Sequence, residues 1–244
     1  MIRKAVIPAA GFGTRFLPFT KSVPKEMIPL VDKPVIQYVI EEAAAAGITD
    51  ILIVVSGGKN AIQDHFNPEP GLLARLEANG KTELLEELRG IDKIARLYYV
   101  YQQELKGLGD AILQARNFVG NEPFAILLGD TVTTSPSRPV TAQLTAVHEQ
   151  TGGSVVALEE VPMEKTSRYG VIDGEPTAEN IYKVRSFVEK PDPAEAPSNL
   201  VIASRYVFTP EIFDFLARTG KGKGGEIQLT DAMREMVKSH PMYG

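Results

Sequence analysis

The 244-residue sequence contains no cysteine. That excludes a disulfide framework, a thiolate metal site and a cysteine nucleophile. Histidine is scarce: His65, His148 and His240 stand far apart in no ligand-like spacing, which argues against a zinc enzyme. No apolar run approaches the roughly 18–20 residues a membrane span needs, and Ile51–Val55 is short and soon interrupted. Met1-Ile2-Arg3-Lys4 leads straight into Ala5-Val6-Ile7-Pro8, too short an apolar core for a secretory signal. An excess of positive charge is also lacking. The formal net charge of −5 argues against general nucleic-acid binding, which needs a basic face. These absences lead to the expectation of a cytoplasmic globular protein with no membrane or nucleic-acid partner.

What is present suits a folded domain. Hydrophobic residues make up 43% and charged residues 23% of a chain long enough to bury a sizeable core. The charge is uneven. Residues 1–33 carry six bases (Arg3, Lys4, Arg15, Lys21, Lys25, Lys33) against two acids (Glu26, Asp32), so the rest of the chain is strongly acidic. A small basic island suits a compact polyanion, although solvated surface charges would give the same count.

Short β-branched runs alternate with helical segments, the pattern of an α/β fold with a mostly parallel sheet and helices on both faces. Lys4–Ala9, Asp50–Val55, Leu97–Tyr101 and Phe124–Leu128 read as four buried strands. Val35–Ala46 reads as a helix, with Pro34 at its start and Gly47 past its end. Asp110–Phe118 and Thr141–Gln150 read as further helices, Ser154–Glu159, Tyr182–Glu189 and Leu200–Phe208 as later strands. Glu211–Ala217 and Glu226–Ser239 read as closing helices. Without repeats or low-complexity linkers, residues 1–244 are expected to form one domain. A helical insertion spans about 68–96, with Gly71–Glu77 and Thr82–Leu88 as two short amphipathic helices.

Ligands of open parallel sheets bind beyond the carboxyl ends of the strands. That directs attention to residues 10–25, 56–60, 102–109 and 129–131. The first stretch holds Ala10-Gly11-Phe12-Gly13-Thr14-Arg15, then Pro24-Lys25-Glu26-Met27. Glycines after a strand let backbone N–H groups approach a phosphate. No Gly-Lys-Ser/Thr follows, and Phe16 stands where a dinucleotide fingerprint has its third glycine. A bare Gly-x-Gly also serves as a plain turn. Arg15 and Lys25, two cations converging on the loop, sharpen the reading toward a triphosphate.

Gly11-x-Gly13-Thr14-Arg15-x-Leu17-Pro18, followed by Pro24-Lys25-Glu26-Met27, resembles the signature of the sugar-1-phosphate nucleotidylyltransferases. Gly80-Lys81-Thr82-Glu83-Leu84-Leu85, Lys106-Gly107-Leu108-Gly109, Val188-Glu189-Lys190-Pro191 and Gly225-Glu226-Ile227-Gln228-Leu229-Thr230-Asp231 extend the resemblance to the branch that uses UTP and glucose 1-phosphate. Thymidylyltransferases of the same fold generally lack the insertion at 71–89.

The resemblance implies a Rossmann-like, GT-A-like fold and transfer of UMP from UTP to α-D-glucose 1-phosphate, yielding UDP-glucose and pyrophosphate with Mg²⁺. It implies that Ala10 and Gly11, in the loop with Gly13 and Thr14, meet the uracil, and that Gln102 holds the amide edge of the base. Gly109 would pass close to base or ribose. Arg15 would grip the β- and γ-phosphates, and Lys25 would bridge the nucleotide and sugar phosphates. Gly170 and Glu189 would take glucose hydroxyls and Lys190 the sugar phosphate, with Glu226 on the same side. Asp130, after the strand Phe124–Leu128 and Gly129, would hold the metal. Read from the residues alone, a strand-end aspartate such as Asp130 is more often a turn or helix cap, Glu189-Lys190 is a surface ion pair and Glu226 a helix-start acid; the resemblance reverses the reading of Asp130. Homo-oligomers, dimers or tetramers, are common in such a family.

Three departures stand out. Thr131 occupies a position where a second aspartate is frequent, and Asp110 one where histidine is common. The sequence ends at Gly244, before the family's usual C-terminal strand, whose Tyr-Asp-x-Gly aspartate would be the second metal ligand. Two alternatives follow. One is a non-catalytic nucleotide-sugar-binding regulatory paralogue, the other a nucleotidylyltransferase using dTTP or another sugar 1-phosphate.

Overall fold

The computed structural model describes residues 1–244 apart from the Lys223 side chain. Its strands are β1 (Lys4–Pro8), β2 (Pro29–Leu30), β3 (Lys33–Pro34), β4 (Asp50–Val55), β5 (Arg96–Tyr101), β6 (Phe124–Leu127), β7 (Ser154–Glu160), β8 (Gly170–Ala178), β9 (Ile181–Glu189), β10 (Leu200–Phe208) and β11 (Met242–Tyr243). The helices are α1 (Val35–Ala45), α2 (Asn60–Phe66), α3 (Pro70–Ala78), α4 (Thr82–Ile91), α5 (Leu108–Leu113), α6 (Arg116–Val119), α7 (Val140–Thr151), α8 (Ile212–Arg218) and α9 (Leu229–Met236). Nine strands form one sheet in the order β5-β4-β1-β6-β10-β7-β11-β9-β8, and β2 and β3 form a small hairpin. In the large sheet only β9 and β10 run against the others, so the sheet is mixed but mostly parallel, as the alternating pattern implied.

Side-chain alternation along the central strands sorts the core onto two faces. Ala5, Ile7, Ile51 and Ile53 pack toward Ile36, Val39 and Ile40 of α1, with Ile62 of α2 and Leu144 of α7. Val6, Leu52, Phe124 and Ile126 pack toward Ile112 of α5, Phe213 of α8 and Met233 of α9. Phe124 and Phe213 stack with centroids 5.1 Å apart. Helices on both faces therefore leave the ends of β1, β4, β5 and β6 open for a site.

Several element boundaries differ from the sequence reading. β5 is an edge strand rather than a buried one. Tyr98 and Tyr101 are 43% and 48% exposed because no strand lies beyond β5. The single helix expected over Asp110–Phe118 is two, α5 and α6, since Ala115 donates to the Ile112 carbonyl three residues back. The closing helix begins at Leu229, not Glu226, because the Ile227 backbone bonds to residues 106 and 109 instead of to a helix. It ends at Met236, ahead of Ser239. β8 went unread because Gly174 and Pro176 interrupt its pattern, and the β8–β9 register shifts at both places. α2 is a single short stretch, and β11 has only two residues. The insertion forms α3 and α4, in which only Leu85 is buried.

Candidate active site

The loop after β1 is shaped by Gly13, whose φ of +66° favours glycine. A Cβ there would lie 3.1 Å from both Lys25 Cβ and Thr20 Cγ2, and Thr20 Oγ1 donates to the Gly13 carbonyl at 2.8 Å. This close approach folds Lys25 beneath the glycine turn. Ser56 Oγ, at the end of β4, donates to Ala10 O at 2.7 Å and ties the loop to the neighbouring strand. The N–H groups of residues 10–15, by contrast, donate no hydrogen bond among the described residues. They are spare donors at a strand end, the arrangement that receives anionic oxygens. Arg15 and Lys21 are exposed and form no ion pair among the described residues, whereas Lys4 and Lys33 of the basic island are matched to Glu122 and Glu41.

Lys25 Nζ lies 2.6 Å from Asp130 Oδ2, so a loop cation and the carboxylate after β6 share one spot. Gly129 makes this contact possible, since a Cβ at that position would come within 3.1 Å of Ile7 Cγ2 and 3.4 Å of Glu26 Cγ. Behind the pair, Glu26 is fully buried and accepts a 2.8 Å bond from Lys59 Nζ, while its Oε1 has no partner among the described residues. Burial pushes the Glu26 carboxyl up and the Lys59 ammonium down, each partly offset by the other's charge. Asp130 presents an oxygen toward a cation while its side chain remains 32% exposed. That donor set fits Mg²⁺, which uses one or two protein carboxylates and completes its shell with phosphates and water. Among the described residues no group of three or more candidate ligands is gathered.

A further network braces the chain after Asp130. Arg205 of β10, completely buried, donates through Nε and Nη2 to Glu42 Oε2 at 2.9 and 2.8 Å, and through Nη2 to the Thr131 carbonyl at 2.7 Å. Thr133 Oγ1, Thr141 Oγ1 and the Thr141 N–H complete the Glu42 carboxylate. Burial raises the Glu42 carboxyl, but the Arg205 guanidinium and the threonines outweigh it and hold the group low. Arg205 lies within an irregularity of β10 between Ile202 and Tyr206, directly after Ser204 at φ +59°.

On the other side, Gln102 directly follows β5 and is 4% exposed. Its Nε2 donates to Asp110 Oδ2 at 2.6 Å and to Gly107 O at 3.3 Å. Gly107 (φ +104°) and Gly109 lie against Glu226 and Ile227, where added Cβ atoms would come within 2.7 and 2.8 Å. Two backbone bonds, Ile227 N to Lys106 O at 2.7 Å and Gly109 N to Ile227 O at 2.9 Å, lock the two segments together.

The third group lies where β8 meets β9. Gly170 faces Glu189 in register, and a Cβ at Gly170 would lie 2.9 Å from Ile202 and 3.2 Å from Thr230 Oγ1. Glu189 Oε2 accepts from Thr230 Oγ1 at 2.7 Å, and its Oε1 lies 3.0 Å from Lys190 Nζ. Thus the loop residues, Lys25 and Asp130 gather at one place, Gln102 with Gly109 at a second, Gly170 with Glu189 and Lys190 at a third. Glu226 sits against Gly107, in the segment whose Thr230 reaches Glu189. Sequence reading missed Glu26, Lys59, Thr230 and the Glu42–Arg205 pair. The stretch 56–60 follows a strand end, so Lys59 carries a positional signal; Arg205, in mid-strand, carries none.

Residues 4–244 match the nucleotidyl transferase family. A UTP–glucose-1-phosphate uridylyltransferase 2 of Staphylococcus saprophyticus is 52% identical over 242 residues, spanning 99% of this chain and 83% of the relative. The crystal structure of a UDP-glucose pyrophosphorylase complexed with UDP-glucose superposes with a TM-score of 0.91 at 43% identity, covering 100% of this chain and 89% of that one. The UTP-bound enzyme of Acinetobacter baumannii gives 0.92 at 36%, covering 100% and 85%. With the match running through the glycine loop, Lys25 and Asp130 to the last strand, the chain belongs to the nucleotidyl transferase family.

Proposed function

We propose that this chain transfers UMP from UTP to glucose 1-phosphate. A phosphate oxygen of the sugar phosphate attacks the α-phosphorus of UTP, the bond to the β-phosphate oxygen breaks, and UDP-glucose and pyrophosphate leave. The observation that carries the reading is the Lys25–Asp130 contact beneath a loop whose N–H groups are unused. The names of the relatives at 52% and 43% identity support the choice of nucleotide and sugar.

The protein's part is positioning and charge neutralisation, with no covalent intermediate on a side chain. The N–H groups of residues 12–15 and the Arg15 guanidinium receive the triphosphate, and Arg15 neutralises the departing pyrophosphate. Lys25 stands between the nucleotide and sugar phosphates. Ala10, Gly11, Gln102 and Gly109 take the base and ribose. Gly170 and Glu189, the latter steadied by Thr230, take sugar hydroxyls, and Lys190 takes the sugar phosphate. Mg²⁺ held by Asp130 would act as a Lewis acid on phosphate oxygens.

The direct test is pyrophosphate release from glucose 1-phosphate with UTP, dTTP or CTP, with and without Mg²⁺. Release that requires Mg²⁺ and is fastest with UTP is expected. Preference for dTTP, or UDP-glucose binding without turnover, would overturn the proposal.

A further inference from the structure

We infer that Asp110 sets the base selectivity of the site by fixing which end of the Gln102 amide faces the nucleotide. The inference rests on the proposed uridylyl transfer with Gln102 at the base. Both groups that meet Gln102 Nε2, the Asp110 carboxylate at 2.6 Å and the Gly107 carbonyl at 3.3 Å, are acceptors. Only an NH₂ group can satisfy them, so the amide orientation follows from chemistry. Rotating the amide by half a turn would set its oxygen against a carboxylate. Gln102 Oε1 is therefore the end left over. It accepts no hydrogen bond among the described residues and is not sealed from solvent, although the residue as a whole is buried.

An amide oxygen with no partner, held in place, asks for a donor. A pyrimidine-dione such as uracil presents an N–H at ring position 3; cytosine presents an acceptor lone pair there. A rigid acceptor thus favours the first base and repels the second, because a mismatched buried polar group loses its hydrogen bond without replacement. A glutamine free to turn over would serve either base. Asp110 is itself held by the fold. It lies in the first turn of α5, and the Gly109 N–H beside it is anchored to Ile227 O at 2.9 Å. The carboxylate contacts no substrate in this scheme, so it is a positioning residue whose effect is read through Gln102.

The test compares kcat/KM for UTP and CTP in wild type and Asp110→Asn, with calorimetric affinities for UDP and CDP. The asparagine is nearly isosteric but offers either a donor or an acceptor, which releases the amide. The ratio of UTP to CTP use is expected to fall about tenfold, with the UDP-to-CDP affinity ratio moving the same way. Asp110→Ala, which leaves only the Gly107 carbonyl as a tether, is expected to shift both ratios in that direction and serves if the first variant folds poorly. Equal losses with both nucleotides, or ratios unchanged in both variants of an enzyme that makes UDP-glucose, would overturn the role of Asp110 alone. A wild-type protein that makes no UDP-glucose would overturn the parent reading and this one with it.

Discussion

Lys25 Nζ lies 2.6 Å from Asp130 Oδ2, joining the loop after β1 to the end of β6 across 105 residues of sequence. The contact places a cation and an anion where a nucleotide phosphate and its metal would meet.

Because this pair is partly exposed, its removal is expected to change stability by no more than about 1 kcal/mol. Lys25→Ala and Asp130→Ala should nonetheless lower kcat by at least about 100-fold. Pyrophosphate-release kinetics beside urea denaturation check both halves. Near-wild-type turnover in either variant would remove the assigned roles.

The Glu42–Arg205 pair makes the opposite prediction. Arg205→Met leaves a buried carboxylate without its counter-charge and should cost about 3–5 kcal/mol in chemical denaturation. Adding Glu42→Met should recover part of that loss, although the Thr141 N–H then lacks its acceptor. Additive losses would mean the two side chains do not act as a unit.

Thr230→Val removes the 2.7 Å bond to Glu189 while keeping the side-chain shape. The KM for glucose 1-phosphate is expected to rise about three- to tenfold, with the KM for UTP little changed. Steady-state kinetics varying each substrate separately distinguish this from general damage, which would move both.

Burial pushes the His65 imidazole below its ordinary 6.5, and its Nε2 lies 2.8 Å from Gln37 Oε1. The unfolded chain therefore binds more protons in this range. The stability due to a neutral His65 is full above about pH 6.5 and is lost as pH falls through the lower folded value. Relative to His65→Gln, the wild-type protein should lose stability as pH falls from 7.5 to 5.5. A pH-independent difference in unfolding free energy would refute this.

Part of the candidate site is legible in the sequence. The glycine loop and Asp130 sit just past apolar runs that read as strands, Lys25 closes the stretch that follows the first of them, and ligand sites of parallel sheets lie at those ends. Gln102 and Gly109 were legible for the same reason. β8 was hidden because Gly174 and Pro176 break its alternation, and the start of α9 was misplaced because Ile227 spends its backbone groups on Lys106 and Gly109.

By itself the sequence determined the local properties: short strands from β-branched runs, the loop conformation demanded by Gly13, and the exclusion of cysteine chemistry. These depend on neighbours a few residues apart, so they can be read along the chain. The tertiary structure alone decided which charges meet. Glu42 and Arg205 are 163 residues apart, and Lys59 finds Glu26 across 33, with no spacing that announces either pair. The turn of the Gln102 amide was likewise settled only when folding set two acceptors against one of its ends. A hydrogen bond depends on distances of about 3 Å in space, and separation along the chain does not encode them.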